Sequence, residues 1–160
     1  MIRPVTPVDA KAILAIYNPF VLASTVTFEE VAVTPDDMAA RIRAVTATLP
    51  WLGFEVGGVL AGYAYATQWK PRSAYRHTVE SAIYVDPTHG RRGIGRKLYE
   101  ALFVQLRARS IHAVLGGIAL PNDPSVALHE QLGFEQVGHL REVGFKLGQW
   151  VDVGYWEKRL

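Results

Sequence analysis

Two glycines stand two residues apart where a helix begins, inside a strongly basic segment. The segment reads DPTHGRRGIGRKLYEAL, and the two residues are Gly93 and Gly95. Four basic side chains flank them: Arg91, Arg92, Arg96 and Lys97. Free N–H groups and the helix dipole make a helix N-terminus attractive to anions, and glycine lets the backbone approach a ligand closely. The turn therefore suits a pyrophosphate, with a surface turn carrying solvated arginines as the alternative.

This turn does not match either of two common nucleotide-binding patterns. The chain has no G-x-x-x-x-G-K-[ST] sequence, and Leu98 stands where G-x-G-x-x-G requires its third glycine. These differences argue against a Walker-type ATPase and against a Rossmann-type dehydrogenase.

A single carboxylate interrupts a strand-like, mostly apolar stretch. Glu80 lies in HTVESAIYV. Burying a carboxylate is costly unless it is paired or functional, and desolvation raises its pKa toward the range of a useful general base. Glu80 is therefore a candidate catalytic base. The alternative is a glutamate at a strand edge that forms an ion pair with Arg76 or Lys70.

The loop before that strand, WKPRSAYRHT, combines cations with an aromatic residue. Arginine can hold a carboxylate or phosphinate through two parallel hydrogen bonds, so the loop is suited to a small anionic amino acid. Aromatic and basic residues from two other segments are expected to complete this pocket. The residues predicted to bind such an amino acid are Phe28, Lys70, Arg72, Tyr75, Thr78, Phe145 and Lys146. A solvated basic loop remains the alternative for Lys70 and Arg76.

Composition excludes several classes of chemistry. The chain has 160 residues and no cysteine, which excludes disulfides, thiolate metal sites and a thiol nucleophile. The sequence HEQLG is not H-E-x-x-H, and the histidines lack metal-ligand spacing, so no metal is expected. A net charge of +2 does not indicate a nucleic-acid or membrane partner. The sequence has no apolar run long enough for a signal peptide or a membrane span, so a cytoplasmic location is expected.

Hydrophobic periodicity and capping signals predict eleven elements in the order β-α-α-β-β-β-α-β-α-β-β. This order is typical of an α/β domain with a mixed sheet, and the length favours one domain over residues 1–160. Gly57 and Gly58 predict a hairpin turn. The predicted helix N-caps are Thr6, Thr34 and Asp123. An apolar stripe on the helix that follows the glycine turn comprises Ile94, Leu98, Leu102 and Leu106.

The segment IYVDPTHGRRGIGR resembles the Q/R-x-x-G-x-G/A loop of the GCN5-related N-acetyltransferases (GNAT), which binds the pyrophosphate of acetyl-CoA. Both glycines match, whereas Gly90 occupies the Q/R position. More narrowly, QWKPRSAYRHTVES and NDPSVALHE are similar to the phosphinothricin and methionine sulfone/sulfoximine acetyltransferase branch. The resemblance implies a single GNAT domain with a mixed, mostly antiparallel central sheet flanked by helices.

The resemblance also implies an activity, which is transfer of acetyl from acetyl-CoA to the α-amino group of a small amino-acid analogue. Such relatives are dimeric, so a homodimer is expected. Because no cysteine can form a thioester acyl-enzyme, direct attack in a ternary complex is expected. Three alternatives remain: a protein N-terminus as acceptor, another small amine such as a polyamine, and a non-catalytic acyl-CoA-binding module. The basic loop disfavours polyamines.

Specific residues carry the implied roles. Glu80 falls on the catalytic glutamate of this branch, and His129 on the position thought to protonate the departing thiolate. From sequence alone, His129 would stay unassigned, because a lone helical histidine is usually structural. The backbone of one strand end is expected to pair with the pantetheine amides, and Asn122 to hold the pantetheine arm. The implied acetyl-CoA contacts are Ile83, Tyr84, Val85, Arg91, Arg92, Gly93, Ile94, Gly95, Arg96, Asn122 and Ser125.

Overall fold

The computed structural model describes residues 1–90 and 92–160 and contains the eleven elements in the predicted order. Four helices are present: α1 (Ala10–Ala23), α2 (Pro35–Thr46), α3 (Ile94–Arg107) and α4 (Asp123–Gln131). The strands are β1 (Ile2–Pro4), β2 (Trp51–Val56), β3 (Val59–Gln68), β4 (Thr78–Val85), β5 (Ala113–Leu120), β6 (Glu135–Lys146) and β7 (Gln149–Arg159). The predicted α/β class with a mixed sheet is confirmed.

The seven strands form one sheet in the order β1-β2-β3-β4-β5-β7-β6. Strands β4 and β5 run parallel, joined through α3, and every other neighbouring pair of described strands is antiparallel. A parallel pair needs a crossover connection, and α3 is that crossover.

The parallel pair is joined for only half of its length. Residues 78–81 of β4 pair with residues 113–116 of β5, and beyond that point the two strands separate. Strand β4 still pairs with β3 as far as Val85, and β5 with β7 as far as Leu120. Residues 82–85 and 117–120 therefore form the two sides of an opening in the sheet, and each side presents a strand edge.

Alternation along β3 assigns the helices to opposite faces of the sheet. Tyr63 and Tyr65 pack with the core beneath α1 and α2, whereas Ala64 and Ala66 pack with the core beneath α3. Successive side chains of a strand point to opposite faces. The sheet thus has an α1/α2 face and an α3 face. The predicted apolar stripe of α3 is confirmed, because its four residues are buried in the core between α3 and the sheet.

Most of the capping and turn residues predicted from the sequence are confirmed by the structure. Thr34 caps α2, since its hydroxyl accepts a hydrogen bond from the N–H of Asp37 at 3.2 Å. Gly57 and Gly58 form the hairpin turn with φ of 58° and 80°. Thr6 is the N-cap of a short 3-10 turn, Pro7–Asp9, and not of α1, whose N-cap is Asp9, so the cap predicted for the first helix is wrong.

Candidate active site

A cavity of about 260 Å³ lies at the opening between β4 and β5, and we call it cavity 1. Both sides of the opening contribute to it, together with side chains from α3, the start of α4 and the loop after α1. Its lining residues are Val26, Tyr65, Thr67, Glu80, Ser81, Ala82, Ile83, Tyr84, Tyr99, Gly117, Ile118, Ala119, Asn122, Ser125 and His129.

A second cavity of about 350 Å³, cavity 2, adjoins the first. Most of its lining side chains are aliphatic or aromatic, and its lining residues are Val26, Phe28, Glu80, Gly117, Ala119, Leu140, Val143, Val153 and Tyr155. Four residues line both cavities: Val26, Glu80, Gly117 and Ala119. Glu80 therefore stands where the two cavities meet, and it is the only carboxylate in either lining of the described residues.

Burial controls the protonation of Glu80. Within residues 1–90 and 92–160, no hydrogen bond or ion pair engages its carboxylate. Desolvation raises the pKa of Glu80, and the charge of Lys70 opposes that rise without forming an ion pair. The alternative of a glutamate paired with Arg76 or Lys70 is thus wrong. Lys70 instead lies over the ring of Trp69, 5.0 Å from its centroid.

His129 is held rigidly on α4. Its imidazole is 3 % exposed, with Nδ1 2.7 Å from the carbonyl oxygen of Ser125. Because a carbonyl only accepts, Nδ1 carries the proton and Nε2 is left to accept from the hydroxyl of Tyr99 at 2.9 Å. Burial lowers the pKa of His129, which favours the neutral form that this tautomer requires.

Tyr99 is a functional candidate that the sequence did not reveal. It is fully buried on α3, where it resembles any core aromatic residue. Its hydroxyl contacts both His129 and the hydroxyl of Ser81, the latter at 3.1 Å. All three residues line cavity 1, so Ser81, Tyr99 and His129 form a continuous polar chain beside the opening. No spacing pattern in the sequence links these three positions.

The two candidate catalytic residues lie on opposite faces of the sheet. Side chains at even positions of β4, such as Glu80 and Tyr84, point to the α1/α2 face. Ser81 and Ile83 point to the α3 face, where Tyr99 and His129 lie. Cavity 1 reaches both faces only because β4 and β5 have separated. Any reaction that uses both residues must pass through that opening.

The start of α4 corrects one prediction. Asn122, not Asp123, is the N-cap, because its side-chain oxygen accepts from the N–H of Ser125 at 3.3 Å. Asp123 is the first helical residue. Asn122 and Ser125 both line cavity 1, on the same side as His129. The cap residue thus fixes the helix turn that supplies the Ser125 carbonyl for His129.

The glycine turn is the N-terminus of α3, as expected, although Arg91 lies outside the described residues. Gly93 is the N-cap in the left-handed region, with φ of 71°, and no side chain caps the helix. Gly95 serves packing, because a Cβ there would lie 3.0 Å from a methyl group of Leu128. Among the described residues, no side chain accepts a hydrogen bond from the first-turn N–H groups, including those of Ile94 and Arg96. Arg92 is exposed.

The predicted acceptor residues are only partly brought together. Phe28 lines cavity 2, and none of the other six does. Lys70, Arg72 and Tyr75 are exposed on the loop before β4. Thr78 lines a separate cavity at the start of β4, and Phe145 packs on Trp150, with 4.9 Å between ring centroids.

Lys146 requires a clear correction, because it is 2 % exposed and its ammonium is already occupied. It donates to the carbonyl of Thr27 at 2.8 Å and lies 3.4 Å from that of Phe20. Desolvation lowers its pKa. Lys146 therefore anchors the loop that carries Val26 and Phe28, and it does not itself line cavity 2.

Among residues 1–90 and 92–160, no group of three or more histidine, aspartate or glutamate side chains could hold a metal ion. No described helix has the length and apolarity needed to cross a membrane.

Comparison with protein families decides the fold family. Residues 2–154 match the model of the acetyltransferase (GNAT) domain. The chain belongs to the GNAT acetyltransferase family. This confirms the family resemblance seen in the glycine turn and in the two longer motifs.

Relatives of this GNAT acetyltransferase carry specific names. A phosphinothricin N-acetyltransferase from Streptomyces viridochromogenes is 45% identical over 157 residues, which cover 98% of this chain and 86% of the relative. An L-methionine sulfoximine/L-methionine sulfone acetyltransferase from Salmonella typhimurium is 34% identical, covering 99% and 94%. The solved structure of a phosphinothricin acetyltransferase from Sinorhizobium meliloti in complex with acetyl-CoA has a TM-score of 0.95 at 33% identity, covering 100% and 88%.

Proposed function

We propose that this GNAT acetyltransferase transfers acetyl from acetyl-CoA to the α-amino group of a small amino acid of the phosphinothricin, methionine sulfone or methionine sulfoximine type. The names of its relatives support this substrate class. The observation that carries the proposal is the meeting of two cavities at Glu80, through an opening in the sheet. One cavity admits a donor, the other admits an acceptor, and a base stands between them.

The coenzyme side of this proposal rests on backbone groups. The uncapped N-terminus of α3 offers N–H groups and a positive dipole end to the diphosphate. The strand edges at residues 82–85 and 117–120 offer N–H and C=O groups to the amides of pantetheine, as an added strand would use them. Asn122 and Ser125 lie beside the same path. The solved relative in complex with acetyl-CoA supports this choice of donor.

Glu80 is the proposed general base. An α-amino group is largely protonated at neutral pH, with a pKa of about 8. The carboxylate takes that proton, directly or through a water molecule, and the free amine attacks the thioester carbonyl. The raised pKa of Glu80 makes it a stronger base than an exposed glutamate. Because the chain has no cysteine, the attack is proposed to be direct, within a ternary complex.

His129, with Tyr99, is the proposed source of the proton for the departing thiolate. Both line cavity 1 on the α3 face, away from Glu80. The low pKa of His129 makes its imidazolium a better proton donor than an ordinary histidine, although it also makes that form rarer at neutral pH. In this scheme the ammonium proton goes to Glu80 and from there to water, and the free amine nitrogen bonds to the acyl carbon. The C–S bond breaks, and the second nitrogen proton is lost to water as the amide forms. Sulfur receives one proton through the hydroxyl of Tyr99 from the imidazolium form of His129, which water then protonates again.

Cavity 2 is proposed to hold the acceptor side chain. Seven aliphatic or aromatic residues line it: Val26, Phe28, Ala119, Leu140, Val143, Val153 and Tyr155. Such a wall suits a short, mostly apolar side chain. Lys70, whose charge lowers the pKa of Glu80, is the proposed cation for the acceptor carboxylate.

The test is free-thiol release from acetyl-CoA with a panel of amino acids that includes phosphinothricin, methionine sulfone and methionine sulfoximine. We expect release with at least one of these three and none without an acceptor. Release only with a peptide N-terminus would favour the alternative acceptor. No release with any amine would support a non-catalytic acyl-CoA-binding module.

We also propose that the enzyme is a homodimer built from residues 1–160 as one domain. The β6–β7 hairpin exposes large apolar side chains, including Phe145 at 55 % and Trp150 at 63 %. Large exposed apolar patches mark interaction surfaces. A monomeric mass in light scattering would contradict the dimer. A cytoplasmic location stays a prediction.

A further inference from the structure

We propose that Gly116 and Gly117 are positioning residues, which leave room on opposite faces of the sheet for His129 and Glu80. The inference rests on the proposed function of those two side chains. It concerns two consecutive positions of β5 at the point where β4 and β5 separate. Gly116 pairs with Ser81, the last residue of the joined segment, and Gly117 is the first residue beyond it.

Gly117 leaves the space in which the carboxylate of Glu80 stands. A Cβ at this position would lie 3.0 Å from Oε1 of Glu80 and 3.2 Å from Cε1 of Tyr155. A contact this short forces one neighbour to move. The carboxylate has no hydrogen bond that holds it within the described residues, so it moves more easily than the Tyr155 ring. A side chain at 117 would therefore displace the base with little loss of stability.

Gly116 leaves the space for the imidazole on the other face. A Cβ here would lie 2.8 Å from Nε2 and 2.9 Å from Cδ2 of His129. The ring is fixed at Nδ1 by the carbonyl of Ser125 and contacts Tyr99 through Nε2. To accommodate the methyl group, the imidazole must move its Nε2 side while Nδ1 keeps its hydrogen bond to the Ser125 carbonyl, and the contact between Nε2 and Tyr99 is then lost. A side chain at 116 would thus break the polar chain at its centre.

Other glycines of the sheet show why this pair is distinctive. A Cβ at Gly154 would collide with Trp156, and one at Gly53 with Leu60, which are both core side chains. A Cβ at Gly138 on β6 would meet no atom within 4 Å. Glycine inside a strand marks a place where another group must approach closely. At 116 and 117 the approaching groups are the two proposed catalytic side chains.

The experiment compares Gly117→Ala and Gly116→Ala with the matched control Gly138→Ala. We expect Gly117→Ala to lower kcat by about 10- to 100-fold, because small displacements of a catalytic group are costly. Its Tm should equal that of the control. The acidic limb of its pH profile should move to higher pH, since a methyl group beside the carboxylate desolvates it further.

A double variant separates positioning from a general packing effect. If Gly117 acts through Glu80, then Glu80→Gln combined with Gly117→Ala should lose no more activity than Glu80→Gln alone. Gly116→Ala should remain additive with Glu80→Gln. Losses at 117 that multiply with those of Glu80→Gln would overturn the inference, as would kcat and pH profiles equal to those of Gly138→Ala.

A measurement on the free protein keeps this test distinct from the proposed function. NMR titration should show a changed imidazole pKa of His129 in Gly116→Ala, and a raised carboxylate pKa of Glu80 in Gly117→Ala. The control should leave both unchanged. If wild type acetylates no amino acid but these shifts occur, the positioning holds and the substrate class fails. If neither pKa moves, the positioning is wrong, whatever the substrate.

Discussion

The α1/α2 face and the α3 face each hold one candidate catalytic residue at the opening of the sheet, and the surroundings of the two residues differ. Burial moves both toward the neutral form, raising the pKa of Glu80 and lowering that of His129. His129 is fixed by Ser125 and Tyr99, whereas no hydrogen bond engages Glu80 in the described residues. In the proposed mechanism, the residue that meets the incoming amine is thus an unpaired hydrogen-bond acceptor, whereas the residue that meets the thiolate is already held by hydrogen bonds.

The origin of this difference lies in strand pairing. Strands β3 and β4 pair along residues 62–68 and 79–85, so the α1/α2 face is continuous there. Strands β4 and β5 pair over only four positions each. In a fully paired sheet, side chains on opposite faces are separated by the backbone. Glu80 and His129 can line one cavity because β4 and β5 are incompletely paired.

The largest expected effect comes from removing the base. Glu80→Gln should lower kcat by about 10²- to 10⁴-fold, because general-base catalysis contributes that much. Acetyl-CoA affinity should stay unchanged, since glutamine keeps the shape of the side chain where the two cavities meet and the proposed coenzyme contacts are mostly backbone groups. Steady-state kinetics and calorimetric binding of acetyl-CoA measure the two quantities. Full activity in the variant would remove Glu80 from the mechanism.

On the other face, Tyr99→Phe should cost less. The ring still fills its place in the core, and only the hydroxyl contacts with His129 and Ser81 are lost. A hydrogen bond contributes about 0.5–1.5 kcal/mol, which corresponds to roughly 3- to 10-fold in kcat. An equal loss in Tyr99→Phe and Glu80→Gln would contradict the unequal treatment of the two faces.

The sequence was informative wherever a signal is local. The cap at Thr34, the Gly57-Gly58 turn and the stripe on α3 each follow from residues close together in the chain. The opposite placement of Glu80 and His129 could not be predicted, because it depends on strand register and on where β4 and β5 separate.

The acceptor pocket was the weakest part of the prediction for a related reason. Lys146 looks like a ligand contact in sequence, yet it is buried against backbone carbonyls more than 100 residues away along the chain. Leu140, Val143 and Tyr155 line cavity 2 instead, and nothing in their local sequence distinguishes them from ordinary strand residues.

A third variant tests the N-cap of α4, the helix that carries His129 on the α3 face. Asn122→Ala removes the cap of α4 and should lower the free energy of unfolding by about 0.5–2 kcal/mol. It should also raise the KM for acetyl-CoA, because Asn122 lines cavity 1. Asp123→Ala is the matched control, with a smaller loss of stability from the helix dipole alone. Denaturant unfolding would show a misassigned cap if the two losses were reversed.

The smallest effect is on the pH dependence of stability. Since burial raises the pKa of Glu80 in the folded state, the native protein binds the proton more tightly than the unfolded chain. This contribution is complete below the unfolded-state pKa and is lost as pH rises through the folded-state pKa. Glu80→Gln should therefore raise Tm at neutral pH and leave it unchanged in acid, as thermal scans at both pH values would show. An equal change of Tm at both would contradict the pKa shift.

The central claim is that donor and acceptor meet at Glu80 through the opening between β4 and β5. A crystal structure with a bisubstrate analogue, in which an acetyl group joins the sulfur of CoA to the nitrogen of methionine sulfone, tests it directly. We expect pantetheine between residues 82–85 and 117–120, the side chain in cavity 2, and the nitrogen within hydrogen-bond distance of Glu80. An analogue bound wholly on one face of the sheet, with its nitrogen remote from Glu80, would contradict the account.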